Sequence, residues 1–332
     1  MTTAVTVDVA GGPAGGAARF RTEVCGYVER RPRADVKIIG MKRRLDPAWL
    51  ALREAAAARR SRRVALNNVG FLTPGGERWT LLANALHFLT GPETEALEPA
   101  LRAMMARQIS VVHRAARRSD VLIAPCTAMA ERIAGTLPEV ADRVTVRMHP
   151  VSASRTADRP AGTGDGGETL ILCPIVFESY KQMPDRLAEW LTAVGLTRRG
   201  VALDDSVRMV VTATPAEVPP ALAASPRLEF TGRLSHAELI RLWNRSRAVY
   251  FPPGLEAFGF PLAEARVNGQ PVIARDTPQN REIAGLALCG YTIGDPDSLR
   301  AATETALAGS FAPDPAPFDP DAYFDWLLDG TR

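Results

Sequence analysis

At 332 residues the chain is long enough for two domains of ordinary size, and its 46% apolar and 23% charged residues are usual for a soluble globular protein. Its apolar runs stop short of the ~18 residues of a membrane-spanning helix, and the opening MTTAVTVDVAGGPAGG lacks the basic start and apolar block of a secretory signal, so a cytoplasmic protein is expected. The net charge of +3 conceals an asymmetry: residues 1–165 carry 25 Lys+Arg against 16 Asp+Glu, whereas residues 166–332 carry 15 against 21, which suggests two domains with different partners.

In chain order, Val5 to Ala10 reads as a first strand, followed by the glycine-rich turn Gly11 to Gly16 and a helix from about Ala17. Asp35 to Ile39 and Arg63 to Leu66 read as further strands. Between them lies a helix from Pro47 to Arg60, with the proline inside its first turn, where a missing N–H costs nothing. Trp79 to Leu86 reads as another strand. Glu95 to Arg117 reads as one long amphipathic helix, because Leu97, Leu101, Met104, Met105, Val111, Val112 and Ala115 recur at near-helical spacing. Val121 to Ala124 and Val144 to Met148 read as buried strands flanking a helix from Ala128 to Ala134. Strands alternating with helices predict a parallel, doubly wound sheet.

Residues 152–168, SASRTADRPAGTGDGGE, have no periodicity and read as a linker. Thr169 to Cys173 opens a second alternating series that runs to about residue 309. PDPAPFDP (residues 313–320) breaks the chain before a last helix, Asp321 to Leu328. Cys25, Cys126, Cys173 and Cys289 lie in or beside apolar runs and read as buried free thiols. Neither they nor His87, His113, His149 and His236 show metal-ligand spacing, so neither a metal site nor a cofactor is expected.

The richest stretch is Val249 to Gly285, VYFPPGLEAFGFPLAEARVNGQPVIARDTPQNREIAG. A buried strand, Ala248 to Phe251, runs into a Gly/Pro loop. A helix starts at about Pro261, and an apolar strand follows from Pro271 to Ala274. Glu256 lies in the loop and Glu264 one turn inside the helix. The free N–H groups of a first helical turn form an anion site, so a ligand with a central phosphate and hydroxyls on both sides could meet both carboxylates there.

This segment resembles the donor-site motif of family-4 retaining glycosyltransferases, and LEFTGRLSHAELIRLWNRSRAVYFPP before it and Glu282 after it extend the resemblance over Leu228 to Gly285. The resemblance implies the α/β fold called GT-B: two doubly wound Rossmann-like domains facing a cleft, with the C-terminal helix returning to the first domain through Tyr323, Phe324, Trp326 and Leu327. Residues 1–151 would then form the acceptor-side domain, 152–168 the linker, 169–312 the nucleotide-sugar-binding domain and 313–332 the crossover helix. The implied activity is metal-independent transfer, with retention, of a hexose-type sugar from a nucleoside-diphosphate sugar to a hydroxyl acceptor.

The resemblance also implies roles. Glu256 would bind the donor sugar's hydroxyls and Glu264 the ribose diol, since a carboxylate accepts from two hydroxyls at once. The backbone of Phe258, Gly259, Phe260 and Pro261 would face sugar and phosphate, the two rings themselves being core candidates. Lys181, one of only three lysines (with Lys37 and Lys42), falls where the family carries a phosphate-binding lysine. The family's Gly-Arg pair is replaced here by Ile175 and Val176. Arg233 is a candidate substitute, or else a solvated turn residue. Gly15 and Gly16 would approach the donor phosphates and the reacting sugar. Gly11 to Gly16 can also be read as an imperfect dinucleotide loop, with Lys42, Arg43 and Arg44 suiting a 2′-phosphate, which keeps a reductase as a distant alternative.

The acceptor side is less legible. Asn84 and His87 stand at the end of a strand where the family often has acceptor contacts, although a lone histidine between Leu86 and Phe88 is as often a satisfied core residue. Residues 41–63 combine Trp49, Leu50 and Leu52 with two arginine clusters; they suit either an anionic inner-membrane face or, the favoured reading, an ordinary peripheral helix. Nucleic-acid binding is disfavoured, because no aromatics interleave with the arginines. A non-catalytic GT-B partner or activator of another transferase is the second hypothesis. Oligomeric state is not legible.

Overall fold

The computed structural model describes residues 4–12, 15–57, 61–153, 167–196 and 203–330. These fall into two compact units. The first holds the chain up to Ser152, the short segment Glu256–Phe258 and the C-terminal stretch from Pro317; the second holds the remainder. The expected linker lies almost wholly outside the described residues.

The first unit runs β1 (Val5–Asp8), α1 (Gly15–Arg30), β2 (Val36–Ile39), α2 (Pro47–Ala56), β3 (Arg62–Ala65), β4 (Arg78–Leu81), α3 (Gly91–Glu95), α4 (Pro99–Arg118), β5 (Val121–Ala124), α5 (Thr127–Thr136) and β6 (Val144–Val146). The second runs β7 (Thr169–Cys173), α6 (Met183–Gly195), β8 (Val207–Val211), α7 (Pro220–Ala223), β9 (Leu228–Phe230), α8 (His236–Arg245), β10 (Ala248–Phe251), α9 (Phe260–Val267), β11 (Val272–Arg275), α10 (Pro278–Ala284), β12 (Leu288–Tyr291) and α11 (Pro296–Ala308). The chain then returns to the first unit with α12 (Pro320–Asp329).

Among the described residues each unit carries one six-stranded sheet, ordered β2-β1-β3-β4-β5-β6 and β12-β11-β10-β7-β8-β9, and every pairing is parallel. Helices cover both faces of such sheets, which is why the central strands read as unbroken apolar runs. Side chains alternate across β1: Val5, Val7 and Val9 enter the core under α1 and α12, while Ala10, one step out of phase, packs with Trp49 and Phe71 on the α2 side. α12 belongs to the first core through Tyr323, Phe324, Leu327 and Leu328. Its polar side is tied to α1 by Asp325, which accepts from the Tyr27 hydroxyl at 2.6 Å and pairs with Arg31 at 2.8 Å.

Three elements differ from expectation. The strand expected over Trp79 to Leu86 ends at Leu81, because Asn84 accepts from the Leu86 N–H and caps a 3₁₀ turn at Ala85–His87. The helix expected over Glu95 to Arg117 starts four residues later, as α4: Pro99 cannot donate to a preceding turn and restrains Glu98, and Glu95 instead ends the short α3. The strand at Val144 is an edge strand paired only with β5, and Thr145 and Val146 are exposed rather than buried.

The first core holds an ionisable group. His149 is buried edge-on against Phe20 and Phe258, with ring centroids 5.1 and 4.6 Å apart. Burial lowers its pKa to about 3; unfolded, it would titrate near ~6.5. Above pH ~6.5 both states are neutral and the residue contributes nothing to pH dependence. Below that, the unfolded chain takes up the proton and the folded one does not, so stability falls by ~1.4 kcal/mol per pH unit down to the folded pKa. His149→Phe should therefore remove about 2 kcal/mol of the stability lost between pH 7 and pH 5. Urea unfolding at the two pH values measures this, and an unchanged pH dependence would refute it.

Candidate functional site

In the second sheet β7 lies between β10 and β8. The chain winds outward through β8 and β9, then crosses back to β10, so the loops leaving β7 and β10 diverge. Ligands of open α/β sheets bind beyond the strand C-termini at such a switch point. Two helix N-termini, those of α6 and α9, follow these two strands.

After β7, Ile175 is buried and Val176 is 42% exposed, so an apolar side chain faces outward where the resembled family has an arginine. Ser179–Lys181 forms a 3₁₀ turn, and Gln182, with φ 51°, turns the chain into α6 through the left-handed region. A non-glycine residue in that region costs ~1–2 kcal/mol. The strained residue thus fixes Lys181 immediately before α6, where its ammonium lies 5.8 Å from the centre of the Tyr180 ring.

After β10 the loop contains Glu256, half-buried, and ends at Gly259. Gly259 has φ 84°, and a Cβ there would lie 2.9 Å from Phe251 Cε1 and 3.0 Å from Leu262 Cδ1, so no other residue fits without strain. Its carbonyl accepts from the Leu262 N–H at 2.9 Å, and α9 starts with Phe260 and Pro261. Glu264, in the second turn of α9, is only 4% exposed and is therefore no helix-surface residue. Phe258 is core, its ring 6.2 Å from that of Phe318 as well as against His149.

Arg233 lies in the exposed turn after β9, two strands from β7. It lies close enough to Glu217 to help hold that carboxyl below its usual range, the larger causes being the N–H and hydroxyl of Thr214. Arg275 stands beside the loop after β10 unannounced by the sequence. It ends β11, is half-buried, and its guanidinium lies where a side chain on Gly254 would be, against the loop that carries Glu256. In so arginine-rich a chain nothing in the sequence marks it.

In the first unit α1 starts at Gly15, so Gly15 and Gly16 are its first residues and not part of a loop. Their N–H groups are among those a helix leaves unsatisfied. Arg21 donates to the carbonyls of Gly11 and Gly12 at 3.1 and 2.6 Å, while Pro13 and Ala14 lie outside the described residues. His87 is buried and partnered: Nε2 lies 3.2 Å from Gln108 Oε1 and 3.4 Å from Asn84 Nδ2, and its carbonyl accepts from His113 at 2.7 Å. Burial lowers its pKa, with Gln108 opposing.

In residues 41–63, Met41, Lys42, Arg43, Arg44 and Leu52 are exposed, Trp49, Arg53, Arg62 and Arg63 are buried, and Arg59 and Arg60 lie outside the described residues. Arg53 pairs at 2.6 Å with Asp8, a fully buried carboxylate at the end of β1. The same carboxylate accepts from Trp49 Nε1, Asn67 Nδ2 and the Ala10 N–H at 3.1, 2.9 and 3.1 Å. Among the described residues no group of three or more His, Cys, Asp or Glu side chains could hold a metal ion, and no helix is long and apolar enough to cross a membrane.

Residues 221–312, which contain the Glu256 loop and α9, match the family model of glycosyl transferases group 1. No curated protein matches. Solved structures match over nearly the whole chain. One is a trehalose-6-phosphate structure from E. coli bound with UDP-2-fluoro glucose, at 10% identity and TM-score 0.59, covering 99% of this chain and 99% of that one. Another is a sucrose-phosphate synthase from Thermosynechococcus elongatus, at 13% identity and TM-score 0.60, covering 98% and 96%. A lipopolysaccharide outer core galactosyltransferase in its apo form matches at 15% identity and TM-score 0.54, covering 99% and 97%. At such identities the likeness is one of fold, and the fold is GT-B.

Proposed function

We propose that the protein is a glycosyltransferase that moves a hexose-type sugar from a nucleoside diphosphate to a hydroxyl acceptor with retention of configuration. One observation supports this most directly. The segment matching the glycosyl transferase model builds, at the switch point of a parallel sheet, a glycine-capped helix N-terminus with a buried glutamate one turn inside it. Buried Glu264 would accept from the ribose diol. The first N–H groups of α9, the N-terminus of α6 and Lys181 would face the diphosphate, and Glu256 the hydroxyls of the sugar. As the bond from the anomeric carbon to the diphosphate oxygen breaks, its electron pair goes to the diphosphate. Lys181 then meets a growing negative charge, and no metal ion is required. On the acceptor side Gln108, exposed and accepting from His87 Nε2, would present its amide N–H groups to the incoming hydroxyl.

Titration calorimetry with a panel of nucleoside diphosphates and their sugars, in the presence of a chelator, tests the donor half. Glu264→Ala should weaken nucleotide binding roughly ten- to hundred-fold, the ~1.5–3 kcal/mol of hydrogen bonds to a charged group. Glu256→Ala should leave nucleotide affinity nearly intact and lower turnover. Unchanged affinity in Glu264→Ala would remove the ribose assignment. Val176 at the arginine position favours a second reading, a non-catalytic GT-B partner of another transferase. Binding of nucleotide without transfer to any acceptor in a broad screen would select it.

A further inference from the structure

α4 is the longest helix among the described residues, and its sequence, PALRAMMARQISVVHRAARR, holds five arginines and no acidic residue. Met105, Val112, Ala115 and Ala116 bury one side of it. Ala100, Met104, Arg107, Val111, Arg114 and Arg118 recur at steps of four and three, which places them along a single stripe, and all six are exposed. Met104 is 48% and Val111 38% exposed, although both are large apolar side chains. Among the described residues Arg107 and Arg114 make no ion pair or hydrogen bond, while Arg118 donates to the Leu72 carbonyl and Arg117, off the stripe, pairs with Glu139. The stripe is some ~27 Å long.

We propose that this face of α4 docks on an anionic lipid surface. Unpaired guanidinium groups interleaved with exposed Met and Val side chains suit a layer of phosphate headgroups over acyl chains, where each arginine gains from the surface potential and the apolar tips from partial burial. Nucleic acid fits less well, because the stripe has no aromatic residue on which a base could stack. Gln108, bonded to His87, borders Met104 and Val111 on the same helix, so a docked α4 would bring the candidate acceptor residues to the lipid headgroups. The docking surface itself does not depend on the transferase reading.

Co-sedimentation of the full chain with vesicles tests the proposal. Binding is expected to equal parts of phosphatidylglycerol and phosphatidylcholine at low salt, to decline as salt is raised, and to be absent with phosphatidylcholine alone. Arg107→Glu/Arg114→Glu should reduce partitioning by at least about 25-fold, some five-fold for each arginine lost. Met104→Ser/Val111→Ser should weaken binding while leaving its salt dependence. Arg208→Glu/Arg241→Glu, in the second unit, changes net charge equally and should weaken binding far less. All of these positions are exposed, so thermal unfolding at the parent's temperature certifies each variant. No binding to the anionic vesicles, or equal loss in both double arginine variants, would overturn the proposal. So would tighter binding to duplex DNA than to the vesicles at the same salt.

Discussion

Lys181→Ala is expected to lower turnover with a nucleotide-sugar donor by two orders of magnitude or more, about 3 kcal/mol of transition-state stabilisation. The size follows from what surrounds it. The loop after β7 offers the buried Ile175 and the apolar, outward Val176 where a second cation would be expected from the resemblance, which leaves Lys181 as the side-chain cation that this loop contributes. Helix N-termini supply partial charge only, equivalent to about half an elementary charge each. Because negative charge on the diphosphate grows as the anomeric bond breaks, the loss should fall more on kcat than on nucleotide affinity. Arg233→Ala and Arg275→Ala then ask whether either guanidinium compensates. If Arg275, pressed against the Glu256 loop, or Arg233 supplies the second charge, its removal should cost activity by itself and still more beside Lys181→Ala. Steady-state kinetics settle the matter, and a Lys181→Ala enzyme within ten-fold of the parent would mean that the diphosphate is neutralised elsewhere.

Much of the fold was legible because parallel sheets bury their strands on both faces. Val121–Ala124, Thr169–Cys173 and Ala248–Phe251 are apolar runs with clear ends, and each forms the expected strand. Misreadings arose where one local rule overrode another. Apolar periodicity extends back from Leu101 to Leu97, but Pro99 sets the first turn of the helix. Ala85 to His87 continued an apolar run, but the Asn84 side chain closed a turn on it. Around the Glu256 loop, the helix start was legible because its signal is local: a Gly/Pro loop, then a proline in the first helical turn, which places Glu264 one turn on. The Asp8–Arg53 pair, by contrast, spans β1 and α2, and no short-range pattern signals that a lone aspartate in an apolar strand will meet an arginine from the next helix layer. Burial of an arginine depends on a partner that only the fold supplies.

Asp8→Ala is expected to destabilise the first unit by ~3–5 kcal/mol, the penalty of breaking a buried ion pair by removing one member. In the first sheet β1 lies between β2 and β3, and the chain passes from β1 to β2 on one side and returns to β3 on the other, so Asp8 ends a strand at that sheet's own switch point. One carboxylate oxygen accepts from the Ala10 N–H and Trp49 Nε1, the other from Arg53 and Asn67. Arg53 reaches on to the Val69 and Gly70 carbonyls at 2.7 and 2.8 Å and lies 4.7 Å from the centre of the Phe71 ring. The loop after β1, α2 and the loop after β3 are thereby fixed to a single buried charge pair. Alanine at position 8 leaves the guanidinium with carbonyls and a ring but no counter-charge, 1% exposed. Removing the stranded charge as well should recover part of the loss, so Asp8→Ala/Arg53→Met should be more stable than the sum of the two single changes allows. Asp8→Asn, which keeps the shape but turns an amide N–H toward other donors, should fall between Asp8→Ala and the parent. Urea unfolding at pH 7 gives the comparison, with Trp49, Trp79 and Trp326 as fluorophores in the first unit. A loss below ~1 kcal/mol for Asp8→Ala, the level of a surface pair, would show that the network contributes little. A positive result should carry a functional corollary: the loop through Gly11 and Gly12 into α1 loosens with it, and amide exchange at Gly15 and Gly16 should accelerate along with the loss of stability.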